Sequence, residues 1–80
     1  MLPLKWTPEQ TVNAIRYEIS KYESLKEELR GETGKEAETI RVQMFDRATL
    51  IEEFKKELVD GGRSDLWEQF VPWEKSLSKT

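Results

Sequence analysis

Two helix-start signals divide this chain, and each is followed by a long amphipathic run. Residues 7–10 are Thr-Pro-Glu-Gln, and residues 33–36 are Thr-Gly-Lys-Glu; both have the spacing of a capping box. Gly31 lies between the two runs, where a glycine favours the end of a helix. The sequence therefore predicts an all-α fold, an antiparallel helical hairpin with helices over residues 8–30 and 35–60.

The apolar side chains of both runs repeat every three or four residues, as one buried helix face requires, with one break at Lys26 in the first run. They are Val12, Ile15, Ile19, Tyr22 and Leu29 in the first run, and Ala37, Ile40, Met44, Ala48, Ile51, Phe54 and Leu58 in the second. With a turn near residues 32–33, residues whose numbers sum to about 65 lie side by side in an antiparallel hairpin. This register predicts that Glu18 lies near Arg47.

A short third helix is expected at the C-terminal end. Ser64 is a suitable N-cap for a helix over residues 65–71, and we expect that helix to end before Pro72, because the residue preceding a proline disfavours helical geometry. Residues 1–6 and 72–80 are then tails of a single domain, 1–80.

Aromatic residues are concentrated near the two ends of the chain. Trp6 precedes the first helix, and Trp67, Phe70 and Trp73 follow the second. Because a hairpin brings its two ends together, we expect the three tryptophans to converge at its open end. Two interpretations stay open: the rings fill that end of the structure, or they form a binding surface for a protein, since tryptophan is enriched among residues that dominate binding energy.

The size of the chain also favours association. A domain of 80 residues buries only about 60% of the surface that its unfolded chain exposes. Two helices do not enclose a core, and the chain has no cysteine with which to form a disulfide. We therefore expect self-association into a helical bundle, with a dimer favoured.

Catalytic chemistry has little support in the composition. The chain has no histidine, the commonest general base near neutral pH. Glu53, Glu57 and Asp60 share a helix face, as do the magnesium-binding carboxylates of some all-helical nucleotide pyrophosphohydrolases, but the acidic cluster at residues 23–28 lies near the hairpin turn, far from them. We therefore expect no enzymatic activity, no cofactor and no metal ion.

Charge and hydropathy limit the classes of partner that this chain could bind. The net charge is −3, which gives no general attraction to nucleic acid or anionic lipid. The longest apolar runs are much shorter than the roughly 18 residues that cross a bilayer. We expect a soluble cytoplasmic protein that binds another protein, as a small regulator, adaptor or inhibitor, with no membrane association.

Residues 39–45 also fit a second pattern, because their apolar and polar side chains alternate strictly, as in a strand. With a strand there, residues 39–71 would resemble a ribbon-helix-helix repressor or antitoxin, in which two chains pair one strand each into a ribbon that enters the DNA major groove. The resemblance implies base-reading positions and a phosphate contact at the second helix, here Thr39, Arg41, Gln43 and Ser64. The continuous apolar face from Ala37 to Leu58 favours the helix, and DNA binding is the alternative function.

Overall fold

The computed structural model describes residues 6–77, and every regular element in this part of the chain is helical. The elements are α1 (Pro8–Arg30), α2 (Gly34–Asp60), α3 (Ser64–Trp67), a 3-10 turn (Glu68–Phe70) and α4 (Val71–Leu77). The predicted fold class, two long helices in a hairpin and a short C-terminal helical part, is confirmed. The predictions for residues 1–5 and 78–80 lie outside the described residues.

Helix α1 begins with the predicted capping box. The backbone N–H of Gln10 donates to Thr7 Oγ1 at 3.1 Å, and the backbone N–H of Thr7 donates to Gln10 Oε1 at 2.9 Å. Pro8 occupies the first helical position, where its missing N–H costs no intrahelical bond. These contacts satisfy two groups that a helix start otherwise leaves unpaired.

Helix α2 begins differently from the prediction. Thr33 is its N-cap, but the Thr33 side chain makes no capping hydrogen bond, so the second capping box is wrong. Gly34 has φ +67°, a left-handed conformation that side chains disfavour, and this changes the direction from which the chain enters the helix. At the other end, Gly62 has φ +76°, and the N–H of Arg63 donates to the Leu58 carbonyl at 2.7 Å, which terminates α2.

Residues 39–45 are helical throughout, so the strand interpretation is wrong. The helix buries Ala37, Ile40, Ile51 and Leu58 on one face, and that face is continuous only if residues 39–45 are helical. Val42, on another side of the helix, remains exposed as a result.

The predicted hairpin register is confirmed by one ion pair, because Arg47 Nη1 lies 2.8 Å from Glu18 Oε1. The main core lies toward the open end of the hairpin, where the C-terminal part of the chain joins it. Its buried members are Val12, Ile15, Ile51, Leu58, Trp67 and Phe70.

The C-terminal segment, defined here as residues 64–77, continues past the predicted stop at Pro72. Val71 keeps helical angles (φ −58°, ψ −41°), and Pro72 is the second residue of α4. An amide at that position has no partner within its own helix, so the proline removes nothing. Ser64 is not an N-cap as predicted, because it is the first residue of α3 and Arg63 precedes it as the cap.

Candidate protein-interaction surfaces

The C-terminal segment covers one broad face of the hairpin, which we call the closed face. Trp73 Nε1 donates to Glu23 Oε2 at 3.0 Å, and Arg16 donates to Gln69 Oε1 at 2.7 Å. Because Arg16 and Glu23 lie about two turns apart on α1, the segment follows the helix toward the hairpin turn. The chain thus closes one side of its own two-helix layer.

A second set of contacts attaches the segment to α2. Glu74 accepts hydrogen bonds from Lys55 Nζ at 2.7 Å and from Trp67 Nε1 at 3.2 Å. Lys55 Nζ also lies 5.2 Å from the centre of the Trp67 ring, in a cation–π contact. The hydrogen bond from Lys55 lowers the pKa of Glu74, and the same bond raises the pKa of Lys55.

The prediction that all three tryptophans converge at the open end is wrong for Trp73. Trp67 and Phe70 belong to the core, with exposed fractions of 5% and 6%. Trp73 packs edge-on against Tyr22 at 5.6 Å, farther along α1, because the C-terminal segment follows the closed face instead of stopping at the end of the hairpin. Only Trp6 of the four predicted binding residues is largely exposed, at 49%, and it stacks on Phe54 at 5.4 Å.

The opposite face of the hairpin, which we call the open face, carries a groove of about 550 Å³. Its lining residues come from both long helices: Glu18, Lys21, Ser24, Leu25, Glu28, Gln43, Asp46, Arg47 and Leu50. Phe54 follows Leu50 by four residues, so helical spacing places the Trp6–Phe54 stack on the same side of α2.

One ion pair crosses this groove. Glu18 is mostly buried, and Arg47, about one-third exposed, reaches it from α2. The hydrogen bond to Glu18 raises the pKa of Arg47. Leu25 and Leu50 are half-buried on either side of this pair. The open face therefore combines partly exposed apolar side chains with charges of both signs.

A third surface runs along the outside of α2, and we call it the outer stripe. Its members follow one another at intervals of three and four residues: Val42, Phe45, Thr49, Glu52, Lys56 and Val59. Phe45 is 70% exposed and Val42 is 60% exposed. The part nearer the end of α2 borders an open depression of about 470 Å³ that includes Thr49, Glu52, Lys56 and Val59.

The residues of the DNA-binding alternative do not form one surface. Thr39, Arg41 and Gln43 are exposed, but Arg41 is two positions from each of the other two and points to a different side of the helix. The strand that would have aligned them is absent, and Ser64 is an exposed residue at the start of α3.

Within residues 6–77, no group of three or more acidic side chains is arranged to hold a metal ion. Nor is any helix there sufficiently long and apolar to cross a membrane.

The two uncovered surfaces were not predicted from the sequence. The outer stripe has a sequence signal, the spacing of Val42, Phe45 and Val59, but the stronger pattern of the buried face masks it. The open face has no sequence signal. Its groove is left uncovered because the C-terminal segment packs on the other side of the hairpin, and the sequence does not show which side that is.

By its fold, the chain is an all-helical hairpin protein with a C-terminal segment packed on one face. No protein family, curated protein or solved structure is significantly similar to it.

Proposed function

We propose that this protein is a non-enzymatic, cytoplasmic interaction module that self-associates and binds a protein partner through the outer stripe of α2. The observation that carries the proposal is the position of Phe45, a large apolar side chain that is 70% exposed. Val42 lies one turn before it on the same stripe. Burying a side chain of this size contributes about 1.5–3 kcal/mol.

The spacing of the outer stripe suits a helical partner. Apolar side chains at intervals of three and four residues can pack against a second helix, as in coiled coils and helix-in-groove complexes. Glu52 and Lys56, in the middle of the stripe, give such a complex a preferred register, since the partner must present matching charges there. The partner best suited to this surface is thus an amphipathic helix.

The use of the carboxylates also supports a binding role over catalysis. Glu18, Glu23 and Glu74 accept hydrogen bonds that hold the helices together. These three carboxylates maintain the shape of the surfaces. They do not converge on a common cleft, as catalytic carboxylates would.

The proposal is tested by placing a photo-reactive phenylalanine analogue at position 45 in cells that naturally produce the protein. The matched control carries the analogue at Asn13, an exposed position in α1. We expect a discrete adduct with another protein at position 45 and none at position 13. The same adducts at both positions, or none at either, would contradict partner binding by the outer stripe.

A further inference from the structure

We propose that the open face is covered by a second copy of this chain, in a symmetric four-helix arrangement whose two-fold axis runs parallel to the helices. This inference rests on the self-association proposed above and adds the face and the symmetry. It does not depend on the outer stripe, which lies on another side of α2.

The open face is the unfilled side of a two-layer structure. Helices usually bury one stripe against a second layer, and the C-terminal segment provides that layer on the closed face alone. The open face retains half-buried Leu25 and Leu50, together with the exposed Trp6 on Phe54. A second hairpin of the same shape offers two helices to cover this groove.

The register of the hairpin shows which residues meet about this axis. Rotation about an axis parallel to the helices keeps every residue at its own level and places α1 of one copy over α2 of the other. The Glu18–Arg47 pair shows that residues at the same level have numbers that sum to about 65. Every helix in this arrangement is antiparallel to its neighbours, the commonest arrangement in short-loop bundles.

Charge complementarity supports this axis. Lys21 on α1 then faces residue 44 of the other copy, about 3 Å along the helix from Asp46 of the partner subunit. Both Lys21 and Asp46 are exposed and line the groove. Because the arrangement is symmetric, this pair of opposite charges occurs twice. An axis perpendicular to the helices would stack each helix on its own copy and would not form these pairs.

The test uses two single variants, Lys21→Glu and Asp46→Lys, each measured alone and in an equimolar mixture by size-exclusion chromatography with light scattering. The dimer has two junctions at which position 21 of one copy meets position 46 of the other. Each variant alone would place like charges at both junctions, so we expect its dissociation constant to rise about tenfold or more. In the mixture, the mixed dimer has opposite charges at both junctions, and association should recover.

The matched controls are Arg41→Glu and Glu38→Lys, which make the same changes in charge at exposed positions of α2 outside both the groove and the outer stripe, and should leave the dissociation constant within about threefold of the wild type. Far-ultraviolet circular dichroism confirms that each variant is folded. Since all four positions are exposed, the substitutions leave the core intact.

The results separate the two proposals. A wild-type chain that stays monomeric at every concentration overturns both the symmetric dimer and the self-association in the proposed function. Two other results overturn the symmetric pairing alone. In one, the wild type dimerises and neither Lys21→Glu nor Asp46→Lys changes the dissociation constant; in the other, association is weakened but does not recover when the two variants are mixed. Partner binding at position 45 is measured by the crosslinking experiment, which does not depend on either result.

Discussion

Two phenylalanines of this chain, Phe45 and Phe70, have opposite environments. Phe70 packs in the core beside Trp67 at a ring distance of 5.4 Å, and Phe45 lies on the outer stripe in contact with solvent. The same residue type therefore has two roles, one in stability and one on a surface. Alanine substitution at each position distinguishes the two roles.

Phe70→Ala should lower the free energy of unfolding by about 3–5 kcal/mol, because it removes buried surface and leaves a cavity. Phe45→Ala should change it by less than about 0.5 kcal/mol, as expected of an exposed side chain, and should abolish or weaken partner binding. Urea unfolding followed by circular dichroism measures both values. Equal losses of stability in the two variants would show that Phe45 is a core residue.

Gly62 is the residue whose backbone conformation ends α2. Gly62→Ala should cost about 1–2 kcal/mol, since its φ of +76° is in the left-handed region that a β-carbon disfavours. Gly31→Ala is the control, because Gly31 has φ −101° and an added β-carbon there would lie 4.0 Å from its nearest neighbour, the Glu28 carbonyl oxygen. Thermal unfolding of the two variants provides the comparison, and equal melting temperatures would contradict a conformational role for Gly62.

At the scale of elements, the C-terminal segment decides which side of the hairpin becomes a core. Its attachment to α2 depends partly on Glu74, which accepts hydrogen bonds from Lys55 and Trp67. These contacts lower the pKa of Glu74 below its ordinary value of 4.5. A carboxylate with a lowered pKa in the folded state stabilises that state above the unfolded pKa, and the contribution is lost as the pH falls through the folded value.

Glu74→Gln should therefore reduce stability at pH 7 by about 0.5–1 kcal/mol, as expected for a partly exposed ion pair. The difference from the wild type should shrink as the pH falls below 4.5 and through the lowered pKa of Glu74. Urea unfolding at pH 7 and pH 3 measures it, with Glu68→Gln as the control at an exposed position of the same segment. A difference that stays constant with pH would contradict the ionic contribution of Glu74.

The elements differ in how far the sequence predicts them. Capping and periodicity are local properties, so the bounds of α1 and the register that joins Glu18 to Arg47 follow from the sequence. The extension of the C-terminal segment beyond Pro72 does not, because a rule about single residues contains no information on the surface that the segment packs against. Tertiary packing also decides that the C-terminal segment lies on the closed face, and this in turn determines which two surfaces stay uncovered.

At the scale of the whole molecule, the protein is a hairpin with unequal sides. Its own C-terminal segment covers the closed face and leaves the open face and the outer stripe uncovered. Burial of the open face between two copies would remove Trp6 from water and complete a four-helix layer. The stability of the protein should then depend on its concentration, since association stabilises the folded state by mass action.

The most direct test of this account is the molar mass in solution, measured by sedimentation equilibrium over a hundredfold range of concentration. We predict a mass that rises from that of one 9.5 kDa chain toward twice that value, accompanied by a melting temperature that rises with concentration. A mass that stays at 9.5 kDa throughout, with a constant melting temperature, would show that the hairpin and its C-terminal segment are complete as a single chain.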